Sequence, residues 1–300
     1  MRARVPLPAA VVTMAALLTM AAPGCDDARP PADTAASAAP SVLGRTHGVD
    51  DSVVPPRRAV HPNPLGLGPV NVALNPGQRV FAVPARMLSG AHIGSSFALA
   101  AATVEAMDAA DVVVRIGHEM SHTVHPGYVV VPRAGTLERG SLVFARFRDE
   151  LRHGVVERLA HKQVVVRFTD VNVPGALQPV LRDEVGLLSG GLAPGSYALR
   201  RGEHEVTHLL LVSQTLGADG EPTWLALGAA GAVQLVPARE LEPLPSRRLP
   251  DAGDDVLVAW RGAMVPATVR SVEPPGIFTV RRPTLSTPMV VGPDMLAPLR

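Results

Sequence analysis

A short pattern occurs four times along this chain, and it restricts the fold more than any other feature. Each copy opens on a glycine and runs into a brief apolar strand: Gly77-Gln-Arg-Val-Phe-Ala82, Gly140-Ser-Leu-Val-Phe-Ala145, Gly195-Ser-Tyr-Ala198 and Gly253-Asp-Asp-Val-Leu-Val-Ala259. Three copies continue into a second strand, at Ala102-Thr-Val-Glu105, Gly154-Val-Val-Glu157 and Ala267-Thr-Val-Arg270. A third strand follows at Val112-Val-Val-Arg115, Val164-Val-Val-Arg167 and Ile277-Phe-Thr-Val-Arg281. Self-similarity at a spacing of about 55 to 63 residues indicates copies of one small folding unit rather than one large domain.

β-Branched residues dominate these stretches, and turn residues such as Pro274-Pro-Gly276 separate them, so they read as hairpins. The expected fold is all-β: tandem small five-stranded barrels over residues 76–137, 138–190, 194–246 and 251–300. All copies but the first end on an acidic residue near an apolar pair at i and i+3, Val185 with Leu188, Leu241 with Leu244 and Leu296 with Leu299. One helical turn places such a pair on one face, which predicts a short turn plugging the open end of each curled sheet.

The N-terminus carries an export signal over residues 1–24. Arg2 and Arg4 give a positive start and Ala9 to Ala22 an apolar run of about 14 residues, shorter than the ~20 needed to cross a bilayer. Cys25 is the only cysteine, so no disulfide can form within one chain. Ala22-Pro-Gly-Cys25 resembles the lipobox of bacterial lipoproteins, apart from Pro23. That resemblance implies cleavage before Cys25 and attachment of acyl chains, palmitate among them, to Cys25, which together suffice as an anchor. Ordinary cleavage after Ala21 or Ala22 is the alternative. In the best-known sorting system an aspartate after the lipidated cysteine favours inner-membrane retention, and Asp26 stands there.

Residues 25–75 lack periodicity and are rich in Pro, Ala and Asp, as in Pro30-Pro31, Pro55-Pro56 and His61-Pro-Asn-Pro64. Such a stretch buries too little apolar surface to offset chain entropy, and it is expected to act as a lipid-anchored tether. The mature chain is thus expected in the bacterial cell envelope, membrane-attached and facing the periplasm or the surface. Nucleic acid is not an expected partner. The net charge is +1, Lys162 is the only lysine, and the ten aromatic residues are scattered rather than ranged along a basic face.

Repeat four, with Gly253 to Trp260, Val265-Pro-Ala-Thr-Val269, Ile277-Phe-Thr-Val280 and Asp294 to Leu299, resembles a Tudor or agenet-type barrel of the Src-homology-3-like class, and the likeness extends more loosely over 77–300. The resemblance implies a five-stranded architecture. The family's cage for methylated lysine or arginine is not reproduced: Val265 stands before Pro266 where an aromatic residue is common. Arg282 and Pro283 replace the usual aromatic and acidic end of the third strand, which Phe168 and Asp170 keep in repeat two.

Two segments match H-E-x-x-H, His118-Glu-Met-Ser-His122 and His204-Glu-Val-Thr-His208. On a helix each pair could share a zinc ion with the glutamate activating water, which makes a zinc-dependent hydrolase the alternative to a binding protein. A non-catalytic metal site using both pairs is a further reading. The context argues otherwise. The first match follows the strand Val112 to Ile116 and precedes Pro126-Gly127, while the second falls where the other repeats place a hairpin. Along an extended strand residues four apart are separated by about 13 Å, too far to chelate one metal. Ser213, near His208, reads as a strand residue rather than a nucleophile, and neither a G-x-S-x-G elbow nor a phosphate loop is present. No catalytic, metal-binding or cofactor residue is therefore assigned. The expected function is a non-enzymatic binding or scaffold module, with an envelope protein segment or the cell-wall glycan as partner.

Overall fold

The computed structural model describes residues 61–299, apart from 109, 119, 171–173, 189 and 218. It is all-β. The first five strands are Arg79–Ala82, Ala100–Met107, Val112–Ile116, His122–Val124 and Val129–Val130 (β1 to β5). The next five are Leu142–Phe147, Glu150–Leu159, Gln163–Phe168, Leu177–Leu181 and Val185–Leu187 (β6 to β10). Tyr197–Arg201, Val206–Leu216, Pro222–Leu227, Val233–Pro237 and Leu241–Pro243 form β11 to β15. The last set is Asp255–Trp260, Ala263–Glu273, Ile277–Arg281, Met289–Val291 and Leu296–Pro298 (β16 to β20). One four-residue α-helix, Ala85–Leu88, lies between β1 and β2.

Each set of five pairs in the same order, with the fifth strand on the first, then the second, third and fourth, all antiparallel. The opening glycines explain the shared register. Gly77, Gly140, Gly195 and Gly253 have φ between 82° and 98°, a conformation that glycine tolerates best. Their N–H groups donate to the carbonyls of Val104, Val156, Leu211 and Val269 at 2.8 to 2.9 Å. Each acceptor stands one residue before a β-bulge, which bends the long second strand so that it serves two sides of its curled sheet.

A 3-10 turn stands between the fourth and fifth strands of every set: Pro126–Tyr128, Arg182–Glu184, Ala238–Glu240 and Pro293–Met295. The turn therefore lies one step earlier than the apolar pairs suggest. Val185, Leu241 and Leu296 begin the closing strands instead, because those strands must pair with the first strand of their set. Among the described residues no ladder joins a fourth strand to a fifth, so the sheets curl without closing into hydrogen-bonded barrels.

Nor are the sets beads on a string. Ala100 pairs with Glu150 and Thr207 with Ala263, fusing the sets two by two into a pair of ten-stranded sheets. The largest apolar cluster, centred on the first set, also takes in Phe144 and Leu151 of the second and Val212, Leu225 and Leu227 of the third. Five short strands enclose little apolar volume, and sharing a core across sets compensates. Part of the expected tether is also packed: Leu67 and Leu74 are buried, and Asn63 brackets Leu67 by accepting its N–H at 2.9 Å and donating to its carbonyl at 2.8 Å.

Candidate functional site

Where the four sets meet, the chain forms a cavity of about 740 Å³ that opens to solvent. The first set contributes Phe97 and Leu99, the second Glu150, Arg152 and Asp170, the third Tyr197 and His208, and the fourth Trp260, Arg261 and Met295. Its rim depends on two glycines that admit no side chain. A Cβ on Gly231 would sit 2.0 Å from the Phe97 carbonyl oxygen, and one on Gly262 would sit 2.2 Å from the Ala229 Cβ. Through these contacts the turn at 228–231 touches both the first and the fourth sets.

An aromatic stack stands at the base. The rings of His153 and His208 each lie 4.0 Å from the Tyr197 ring, tilted by 33° and 39°. Two rings at that distance from one centroid can fit only on its opposite faces. His153 Nε2 donates to the Gly195 carbonyl at 2.7 Å and His208 Nε2 to the Asp294 carbonyl at 3.2 Å, which sets the tautomer of both. Burial pushes both imidazoles down to about 4, against the weaker raising effect of those carbonyls, so both rings are neutral at ordinary pH. Burial also raises the Tyr197 phenol well above its usual value.

Charged groups flank the stack. Arg152 donates to Asp170 at 3.1 Å and to Glu150; burial alone would lower its pKa, but the two carboxylates more than offset this. Behind the wall, Asp294 is fully buried with no other residue hydrogen-bonded to its carboxylate, and burial, with Asp170 nearby, pushes it up to about 7 against the pull of its own backbone N–H. Thr169 Oγ1 is likewise buried without a partner, and both it and Asp294 Oδ1 lie within 2.7 Å of where a Cβ on Gly292 would be. Buried polar groups gathered beside a cavity are a stronger sign of function than any single surface feature here.

The residues singled out from the sequence fall differently. Cys25 and Glu119 lie outside the described residues. His118 occupies the turn between β3 and β4, and His122 opens β4. His204 is exposed in the bend before β12, whereas His208 is buried within that strand. None of the four histidines lies in a helix, so neither pair stands on one helix face as the zinc reading requires. Among the described residues no three His, Cys, Asp or Glu side chains gather as metal ligands would. Ser213 is a buried strand residue whose hydroxyl donates to the Gly127 carbonyl at 2.7 Å.

In repeat two Phe147 and Phe168 meet edge to face at 4.9 Å, with Phe168 fully buried. The corresponding Trp260 of repeat four has the Arg282 guanidinium 4.8 Å above its ring. Sequence reasoning missed the site itself. One signal was available: His153 stands four residues before the bulge at Glu157, and His208 four before that at Val212, so the two hold equivalent positions in their sets. No protein-family model matches the chain, and no curated protein does. Among the described residues no helix is long and apolar enough to cross a membrane.

Proposed function

We propose that this chain is a lipid-anchored lipoprotein of the bacterial cell envelope, a non-enzymatic binding module whose Tudor-like five-strand sets frame one shared ligand cavity. The cavity carries the binding part of this reading: it draws its lining from all four sets, and the buried Asp170 and His208 face it. The anchoring part rests on Gly24-Cys25 after a short apolar run in a chain with no other cysteine. Within this scheme the Pro- and Ala-rich stretch after Cys25 serves as the tether.

Growth of cells expressing the full chain on a labelled fatty acid, alongside Cys25→Ser, tests the anchor. Label and membrane fractionation confined to the unsubstituted protein are expected. Equal label in both, or equal solubility without detergent, refutes the anchor.

A further inference from the structure

The charges and ring faces at the cavity narrow what can occupy it, provided that the cavity is a binding site as proposed above. Four formal charges line it, Glu150 and Asp170 against Arg152 and Arg261, and they balance. A strongly anionic or cationic guest would leave one sign uncompensated, at a cost that grows as water is displaced. Tyr197 and Trp260 are already engaged. Both faces of Tyr197 are covered by imidazoles, and the Trp260 ring carries the guanidinium groups of Arg282 and Arg261 at 4.8 and 5.6 Å. No free face of Tyr197 remains to stack a sugar ring or a nucleobase, and the two guanidinium groups compete for Trp260.

What the cavity does present is a cation and an anion with unused capacity. Arg261 is exposed and makes no ion pair with any described residue. Glu150 has half of its side-chain surface free, at 51%, although it accepts from Arg152. Arg152 and Asp170 form a more buried pair in the same lining, 26% and 7% exposed, and Leu210, Leu227 and Met295 supply apolar wall. We propose that the cavity binds a zwitterion, an amino acid or short peptide with free ends, whose ammonium group meets Glu150 and whose carboxylate meets Arg261. Arg152 and Asp170 then keep the local field balanced once water leaves, and the apolar wall receives the side chains. Charge-assisted bonds at both ends distinguish such a guest from its capped analogue, which keeps the size and loses the charges.

Titration calorimetry on the Cys25→Ser protein tests this with four probes: alanine, trialanine, N-acetyl-trialanine amide and chitotriose. Binding of alanine or trialanine is expected, at least about tenfold tighter than the capped peptide, and the better of the two identifies a free amino acid or a peptide as the source. Glu150→Gln and Arg261→Gly should each weaken that binding about tenfold without moving the melting temperature, since both positions are exposed and the φ of 51° at Arg261 suits glycine. Equal affinity for the capped peptide overturns the proposal, as does full affinity in both variants. Binding of chitotriose in place of the peptides overturns the zwitterion but keeps the cavity as a binding site, whereas silence from all four overturns both.

Discussion

His153 and His208 occupy the same register position in the second strands of adjacent five-strand sets, and they close on Tyr197 from opposite sides at 4.0 Å. His153 belongs to one ten-stranded sheet, and His208 and Tyr197 belong to the other. The His208 bond to the Asp294 carbonyl then extends the contact into the fourth set. Three of the four sets thus meet through one stack of neutral rings, so proton uptake there acts on the joint between the sheets.

Stability should therefore peak near pH 6.5 and fall on acidification. Each histidine has its folded pKa lowered from 6.5 to about 4, so the unfolded chain takes up its proton first and stability drops as pH falls through that window. Each shift corresponds to on the order of 3 kcal/mol. Asp294, raised from 3.8 to about 7, works in the opposite sense: its contribution grows on acidification and is lost as pH rises through 7. Two histidines against one aspartate leave a net loss between pH 6.5 and 4. Urea denaturation of the Cys25→Ser protein across this range measures it, and Asp294→Asn should steepen the slope. A flat profile would contradict the assignment.

Glycines at the points of closest approach should tolerate alanine far worse than glycines in open turns. Gly262→Ala places a methyl group 2.2 Å from the Ala229 Cβ at a φ of 83°, whereas Gly220→Ala, at 78°, meets nothing within 4 Å. Overpacking and strain together should cost Gly262→Ala about 2 to 4 kcal/mol, and Gly220→Ala only about 1 kcal/mol. Urea midpoints of the two variants give the comparison directly, and equal midpoints would rule out the close approach.

Glu184 should matter more than either arginine that holds it. Its carboxylate, 9% exposed, accepts from Arg79 of the first set at 2.7 Å and from Arg146 of the second at 2.9 Å. Glu184→Ala leaves two guanidinium groups without it and should cost about 2 to 3 kcal/mol. Arg79→Ala leaves the Arg146 bond in place, and solvent already screens that side chain, so less than about 1 kcal/mol is expected. Chemical denaturation of the two single variants and the double variant tests the ranking.

Far-ultraviolet circular dichroism should be strand-dominated. Strands make up 48% of the described residues and helical turns 8%, the latter nearly all single 3-10 turns. A helical fraction near the ~30–35% of ordinary globular domains would refute the architecture.

By itself the sequence determined the strand content, the four copies and their register, because these depend on local chemistry. A glycine with positive φ, a β-branched run and a bulge repeat at matching positions whatever lies around them, as Gly140 and Gly253 illustrate. It also carried the lipobox-like Cys25, which is a matter of local motif. Only the tertiary structure decided how the copies join and where the polar groups converge. The single pairs Ala100 with Glu150 and Thr207 with Ala263 fuse sets that look independent in sequence. His153, Asp170, Tyr197, His208 and Asp294 are scattered over more than a hundred residues, and apart from the shared register of the two histidines nothing in the sequence links one to another. His208 sits in an H-E-x-x-H match whose helical meaning the strand overrides, because a pleated backbone carries His204 along the chain to an exposed bend while His208 turns inward onto Tyr197. Their meeting is set by long-range packing of curled sheets, which burial of apolar surface drives and which no local pattern encodes.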